Sequence, residues 1–200
     1  MNRFYSFLLA ILINSSVFAQ YNWKLEKEKN GISVFLSDVK GSSFKAVKVE
    51  CTFDGSYAKL IAVLSNLSRF SDWVYKNKTS KLVKQYSPLD FAYYSQTSMP
   101  FPFSNRDVVI RLRFITDSLP KFLTITGNNV NDIVPELPGL VRVSHYKANW
   151  KVTMPTNKKI HISYILEIDP GGNIPAWLAN TFAEKGPFGT FSNLSEELKK

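Results

Sequence analysis

The groups able to do chemistry are few and scattered. The chain carries two histidines, His145 and His161, and one cysteine, Cys51. A zinc site needs three or four His, Cys or acidic ligands at close spacing, and neither histidine has a second one at ligand distance. Cys51 sits in an apolar strand pattern with no neighbouring base, so it reads as a small core residue rather than a nucleophile. There is no Gly-x-Ser-x-Gly elbow and no glycine-rich phosphate loop. Asp132 and Glu136 share a loop and read as a solvated acidic turn. What remains is a set of polar groups placed singly among apolar ones: Tyr93, Ser95 and Thr97 in DFAYYSQTS, His145 in LVRVSHYKANWKVTM, and Tyr164 in KIHISYILEI. Such groups suit hydrogen bonding to a bound molecule, or acid–base work by Tyr93, His145 or Tyr164. In SMPFPFSNRDVVIRL a stiff two-proline loop runs into the pair Arg106-Asp107. Adjacent strand residues point to opposite faces, so the pair reads as a device that fixes a turn through charged hydrogen bonds, not as joint catalysts.

The elements that must position these groups are mostly strands. Alternation and β-branched content place them at 31–38, 43–53, 80–86, 90–98, 107–116, 121–127, 140–154 and 159–168. Asp54-Gly55-Ser56 offers turn and N-cap chemistry, and Tyr57, Leu60, Ile61, Leu64 and Leu67 then recur at helical spacing. Asp169-Pro170-Gly171-Gly172-Asn173 ends the last strand. A long helical pattern fills the C-terminus from Ile174 through Leu198, with Pro175 in its first turn. Gly186-Pro187 is expected to kink or interrupt it, because Pro removes a backbone hydrogen bond and crowds the preceding turn. Consecutive strands joined by short turns imply an antiparallel sheet, on which the last helix must pack.

The first 19 residues stand apart. Arg3, an apolar run from Phe7 to Ile13, and Val17-Phe18-Ala19 form the three-part pattern of a cleaved secretory signal peptide. The run is too short for a membrane span of about 20 residues. The reading is a signal peptide over 1–19 and one domain over 20–200, secreted or periplasmic. The net charge is +9 at pH 7, and +8 once Arg3 leaves with the leader. Export and the scatter of the lysines argue against nucleic acid; the charge suits solubility and a transient contact with an anionic membrane surface.

Four stretches, taken in order, carry a family resemblance: Trp23-Lys24-Leu25 through Gly31-Ile32-Ser33-Val34-Phe35; Asp72-Trp73; Pro100-Phe101-Pro102 with Asn105-Arg106-Asp107-Val108-Val109; and Ile168-Asp169-Pro170-Gly171-Gly172-Asn173-Ile174-Pro175-Ala176-Trp177-Leu178. Over nearly the whole mature length the chain resembles the START domain, the StAR-related lipid-transfer domain. The resemblance implies an α+β helix-grip fold, a curved antiparallel sheet wrapped around a long C-terminal helix, with an internal hydrophobic cavity for one lipid or similar molecule. Several animal sterol-binding members carry a buried acid and arginine, whose places fall here at Tyr93 and Leu112, which weakens any carry-over of sterol specificity.

On that frame, strand parity assigns the ligand-binding wall. It takes Tyr93, Ser95 and Thr97 from one strand, Ile110, Leu112 and Phe114 from the next, and Val143 and His145 from 140–154. The helix adds Trp177, Thr181, Phe188 and Phe191. The same pattern would also fit a filled core. The expected function is binding and transfer of a lipid or other hydrophobic small molecule by a monomer, without cofactor, metal or catalysis. The alternative is an enzyme of the polyketide cyclase/aromatase type on the same scaffold. The helix and the loop Met99 to Asn105 are expected to form the two lips of the entrance.

Overall fold

The computed structural model describes residues 21–116, 122–172 and 174–200; the expected signal peptide lies outside them. Where apolar and polar residues alternate, the chain forms strands, because period-two alternation lets one face pack while the other meets water. The strands are β1 (Lys24–Lys29), β2 (Ile32–Ser37), β3 (Ala46–Asp54), β4 (Asn77–Ser87), β5 (Asp90–Thr97), β6 (Arg106–Thr116), β7 (Phe122–Asn129), β8 (Val141–Arg142), β9 (His145–Thr156) and β10 (Lys159–Asp169). They form one open sheet in the order β1-β2-β3-β10-β9-β7-β6-β5-β4, with β8 alongside β6. Apart from the parallel β6–β8 pair, all pairings are antiparallel.

Helix α1 (Tyr57–Ser65) starts at Ser56, whose hydroxyl accepts from the Lys59 amide at 3.2 Å, closing one of the free first-turn donors. A short 3₁₀ turn and the single turn α2 (Phe70–Trp73) follow. The long helix α3 (Ala176–Lys199) packs on the sheet, chiefly against β2 and β3. Its Phe191, Leu194 and Leu198 are buried; each such side chain contributes about 1.5–3 kcal/mol on leaving water.

Three expectations change. Strand β1 was not expected, because KLEKEK carries charges at five of six positions and is exposed along most of its length. It forms because Asn30 and Gly31 both adopt positive φ, 53° and 73°, the geometry of a tight hairpin, and so pair it with β2. The stretch 140–154 is not one strand. It breaks at Val143-Ser144 into β8, which follows β6, and β9, which pairs with β7 and β10. Finally, α3 runs through Pro187 without interruption. Tertiary contacts hold it there. Asn193 Nδ2 donates to the Trp73 carbonyl at 3.0 Å, the Tyr75 amide donates to Thr190 Oγ1 at 3.1 Å, and the Tyr75 ring lies against Gly189 so closely that a Cβ there would sit 3.0 Å from it.

Candidate functional site

Between α3 and the sheet lies a cavity of about 290 Å³. Its floor is the inward face of the sheet: Ser95 and Thr97 on β5, Val108 and Ile110 on β6, Tyr146 and Trp150 on β9, and Tyr164, Leu166 and Ile168 on β10. Ala179, Phe182, Ala183, Gly186 and Phe191 of α3 form the roof, and Leu64, Phe70, Trp73 and Tyr75 close the side. Phe44, Lys45, Met99, Pro170 and Ile174, all partly exposed, complete the lining. This wall is overwhelmingly apolar with few convergent polar groups, the usual character of a small-molecule site.

The inner end is aromatic. Trp150, Tyr164 and Phe191 pack with tilted planes and centroids 4.6–5.2 Å apart, and Phe70 meets Trp73 edge-on at 5.2 Å. Tyr146 and Tyr164 share a hydrogen bond. Burial raises both phenols above the usual value of 10, Tyr164 well above it, so both hydroxyls are neutral at physiological pH. Burial likewise pushes the Cys51 thiol up, which suppresses the thiolate a nucleophile requires.

Arg106 and Asp107 both border the cavity. Asp107 has the opposite parity to Arg106, and its carboxylate is held by Arg142 in two bonds, Nε to Oδ1 at 2.8 Å and Nη2 to Oδ2 at 3.1 Å. Arg142 also donates to the carbonyls of Val134 and Pro135, tying the loop after β7 to the sheet. Arg106 shares the inward parity of Val108 and Ile110. Its guanidinium donates to the carbonyls of Ser104, Pro170 and Gly171, and burial pulls its pKa down. Gly171 and Gly172 are both left-handed, φ 67° and 63°, a double bend that glycine adopts without steric cost and that packs against this arginine.

Of the residues assigned to the wall by parity, the structure brings Ser95, Thr97, Ile110, Val143 and Phe191 to the cavity. The others lie elsewhere. Tyr93 is buried in the core against Phe70 and Phe91, and Leu112 and Phe114 are buried beyond the cavity floor. His145 is exposed and borders a separate surface depression with Glu167 and Asp169. The break at Val143-Ser144 is the reason: a one-residue offset flips every later side chain, so Tyr146 takes the inward place. Trp177 is 65% exposed. The Thr181 hydroxyl donates to the Trp177 carbonyl at 2.9 Å, and Phe188 lies outside the lining with Lys27 over its ring at 4.4 Å. These three helix positions were taken from the apolar stripe, whose width exceeds the part of α3 that roofs the cavity.

Tyr146, Trp150 and Tyr75 are wall residues that parity does not assign, and Tyr164, an acid–base candidate from the sequence, also lines the cavity. The first two were legible, because Tyr146, Ala148, Trp150 and Val152 alternate with Lys147, Asn149 and Lys151. Tyr75, which follows α2 on an irregular segment, carries no periodic signal.

The START domain model matches residues 10–199. An uncharacterised protein of Pseudomonas aeruginosa is 32% identical over 181 residues, spanning 90% of this chain and 88% of that protein. The phosphatidylcholine transfer protein of Rattus norvegicus is 26% identical over 172 residues, 82% of this chain and 78% of its own length. Among solved structures, a STAR-related lipid transfer protein from Xanthomonas axonopodis superposes with TM-score 0.81 at 29% identity, covering 89% of this chain and 99% of that one. Human STARD10 shares the fold with TM-score 0.76 at 20% identity.

Proposed function

The chain belongs to the START domain family, and from that premise we propose that it holds one lipid or other hydrophobic small molecule in the cavity under α3 and gives it up unchanged. The observation that carries this is the apolar wall itself. An apolar ligand gains about 0.8 kcal/mol per CH₂ on leaving water, so burial alone supplies the affinity and no covalent step is needed. Two relatives similar along most of the chain are named as lipid transfer proteins, which supports the same reading.

At about 290 Å³ the cavity lies near the small end of the usual ligand-site range of about 300–1,000 Å³. A bulky lipid therefore requires α3 to shift. Parting the sheet would break backbone hydrogen bonds, whereas moving α3 against the loop Met99 to Asn105 mainly gives up side-chain contacts. These two segments are the proposed entrance. The reading also includes export by the leader, action as a monomer, and transient attraction of the basic chain to anionic membranes; the sequence pattern and the charge of +9 support export and membrane attraction respectively.

Native mass spectrometry of protein purified from its own host tests the central point. A non-covalent hydrophobic ligand should be retained by the wild type and lost from Ala183→Trp, which places an indole in the roof. Equal ligand content in a folded Ala183→Trp protein would remove the cavity from consideration as the site.

A further inference from the structure

The lining contains three charged residues: Lys45, Arg106 and Asp107. Their charges are not balanced. Asp107 is consumed by its two-bond contact with Arg142. Lys45 reaches only Asp38, at 3.9 Å, whose own side chain is 86% exposed. Arg106 is 6% exposed and among the described residues meets only backbone carbonyls, those of Ser104, Pro170 and Gly171. Among the described residues no carboxylate lies within ion-pair distance of it.

A guanidinium has five N–H donors, and these contacts use three. Among the described residues the other two have no partner, and alternation places the side chain on the cavity face of β6. A buried charge without a counter-charge is expensive. An anion in the cavity would lower that cost and gain charge-assisted hydrogen bonds. A cation would meet Lys45 and Arg106 with no free carboxylate to oppose them. Of the aromatic rings in the lining, Trp150, Tyr164 and Phe191 pack on one another with tilted planes, which leaves no gap between these three for an ammonium.

We propose that the ligand is an anionic amphiphile, with a carboxylate or phosphate head that bears no compensating ammonium, and that Arg106 is the counter-charge to that head. The tail lies along the apolar floor and the head stays beside the Pro170-Gly171-Gly172 bend. This rests on the cavity being the ligand site, and it adds the sign of the head charge.

The test is a competition with the full wild-type chain. Vesicles contain equal amounts of phosphatidylglycerol, phosphatidylcholine and diacylglycerol with identical acyl chains, plus the matching free fatty acid. Protein is recovered from them and its lipid identified by mass spectrometry. The expected result is enrichment of phosphatidylglycerol or fatty acid over phosphatidylcholine by about tenfold or more, the factor that a difference of about 1.4 kcal/mol produces. Whether the phospholipid or the fatty acid dominates tells a phosphate head from a carboxylate. Loaded protein that takes phosphatidylcholine or diacylglycerol as readily overturns the head-charge inference while leaving the cavity as the site. Protein that loads none of the four overturns both. Arg106→Gln should lose the preference and Arg106→Lys should keep it, with circular dichroism confirming the fold. If Arg106→Gln does not fold, Lys45→Gln and the wild-type competition still decide, the former by a smaller loss of preference.

Discussion

Strand β6 carries two arginine–carboxylate pairs of almost the same geometry. Near its start, Asp107 is held by Arg142 through Nε and Nη2 at 2.8 and 3.1 Å. Further along, Arg111 holds Asp90 through the same two nitrogens at 2.8 and 2.6 Å. The surroundings differ. The side chains of Arg142 and Asp107 are 5% and 1% exposed, those of Arg111 and Asp90 35% and 20%. Asp107 also accepts from Tyr94, and Arg142 continues to two loop carbonyls. One pair clamps a loop beside the cavity, while the other lies at the surface with Tyr86 stacked on its arginine at 4.0 Å. Identical bonding chemistry is worth different amounts because a buried charge stripped of its partner cannot turn to water, whereas an exposed one can.

The sharpest way to break the comparison is Arg142→Met. It leaves Asp107 buried and unpaired, and denaturant unfolding should show a loss of about 3–5 kcal/mol. A loss as small as that from Asp90→Asn would mean that water reaches Asp107 and that the two pairs are equivalent. A smaller effect is expected from Tyr94→Phe, which removes one donor to the Asp107 carboxylate but leaves Arg142 in place. The loss should be about 1.5–3 kcal/mol, the worth of a hydrogen bond to a charged group, and it should vanish in the Arg142→Met background if the three residues act as one network.

The smallest effect belongs to Asp90→Asn, and its signature is pH dependence. The hydrogen bonds from Arg111 hold the Asp90 carboxyl below its usual value of 3.8, against a partial opposing effect of burial. A depressed folded-state pKa means that the pair's contribution is present above the unfolded-state value and fades as the pH falls through the folded one. Wild type and Asp90→Asn should therefore differ slightly in melting temperature above about pH 4, the ordinary range for an aspartate, and converge below it. A constant difference across the acid range would show that Asp90 acts by packing or hydrogen bonding alone.

The same contrast between local and non-local information governs what could be read in advance. Strands β5, β6 and β10 were legible because each is long and regular, and Ser95, Thr97 and Ile110 reached the cavity on parity alone. His145 did not, because the parity of β8 was carried across Val143-Ser144, where neither Gly nor Pro marks the break. The local alternation of Tyr146, Ala148, Trp150 and Val152 already pointed to the right face. Strand β1 was missed for the converse reason: its charges hid it, although Asn30-Gly31 announced a hairpin. Pro187 signalled a break that tertiary contacts from Trp73 and Tyr75 override.

The sequence by itself determined the mainly antiparallel order of strands, the capped first helix, the long C-terminal helix and the family pattern, because periodicity, capping and turn chemistry act over a few residues. Only the tertiary structure decided that the helix and sheet stand apart instead of filling the space between them. A packed and a hollow interior have the same apolar pattern, and the difference lies in how far the elements approach, here set by Tyr75 against Gly189 and the aromatic cluster at the inner end. It alone decided, too, which charge is answered. Arg106 and Asp107 are neighbours in the chain, but among the described residues Asp107 finds Arg142 from another strand while Arg106 finds only carbonyls, since adjacent residues on a strand face opposite sides and meet different parts of the fold.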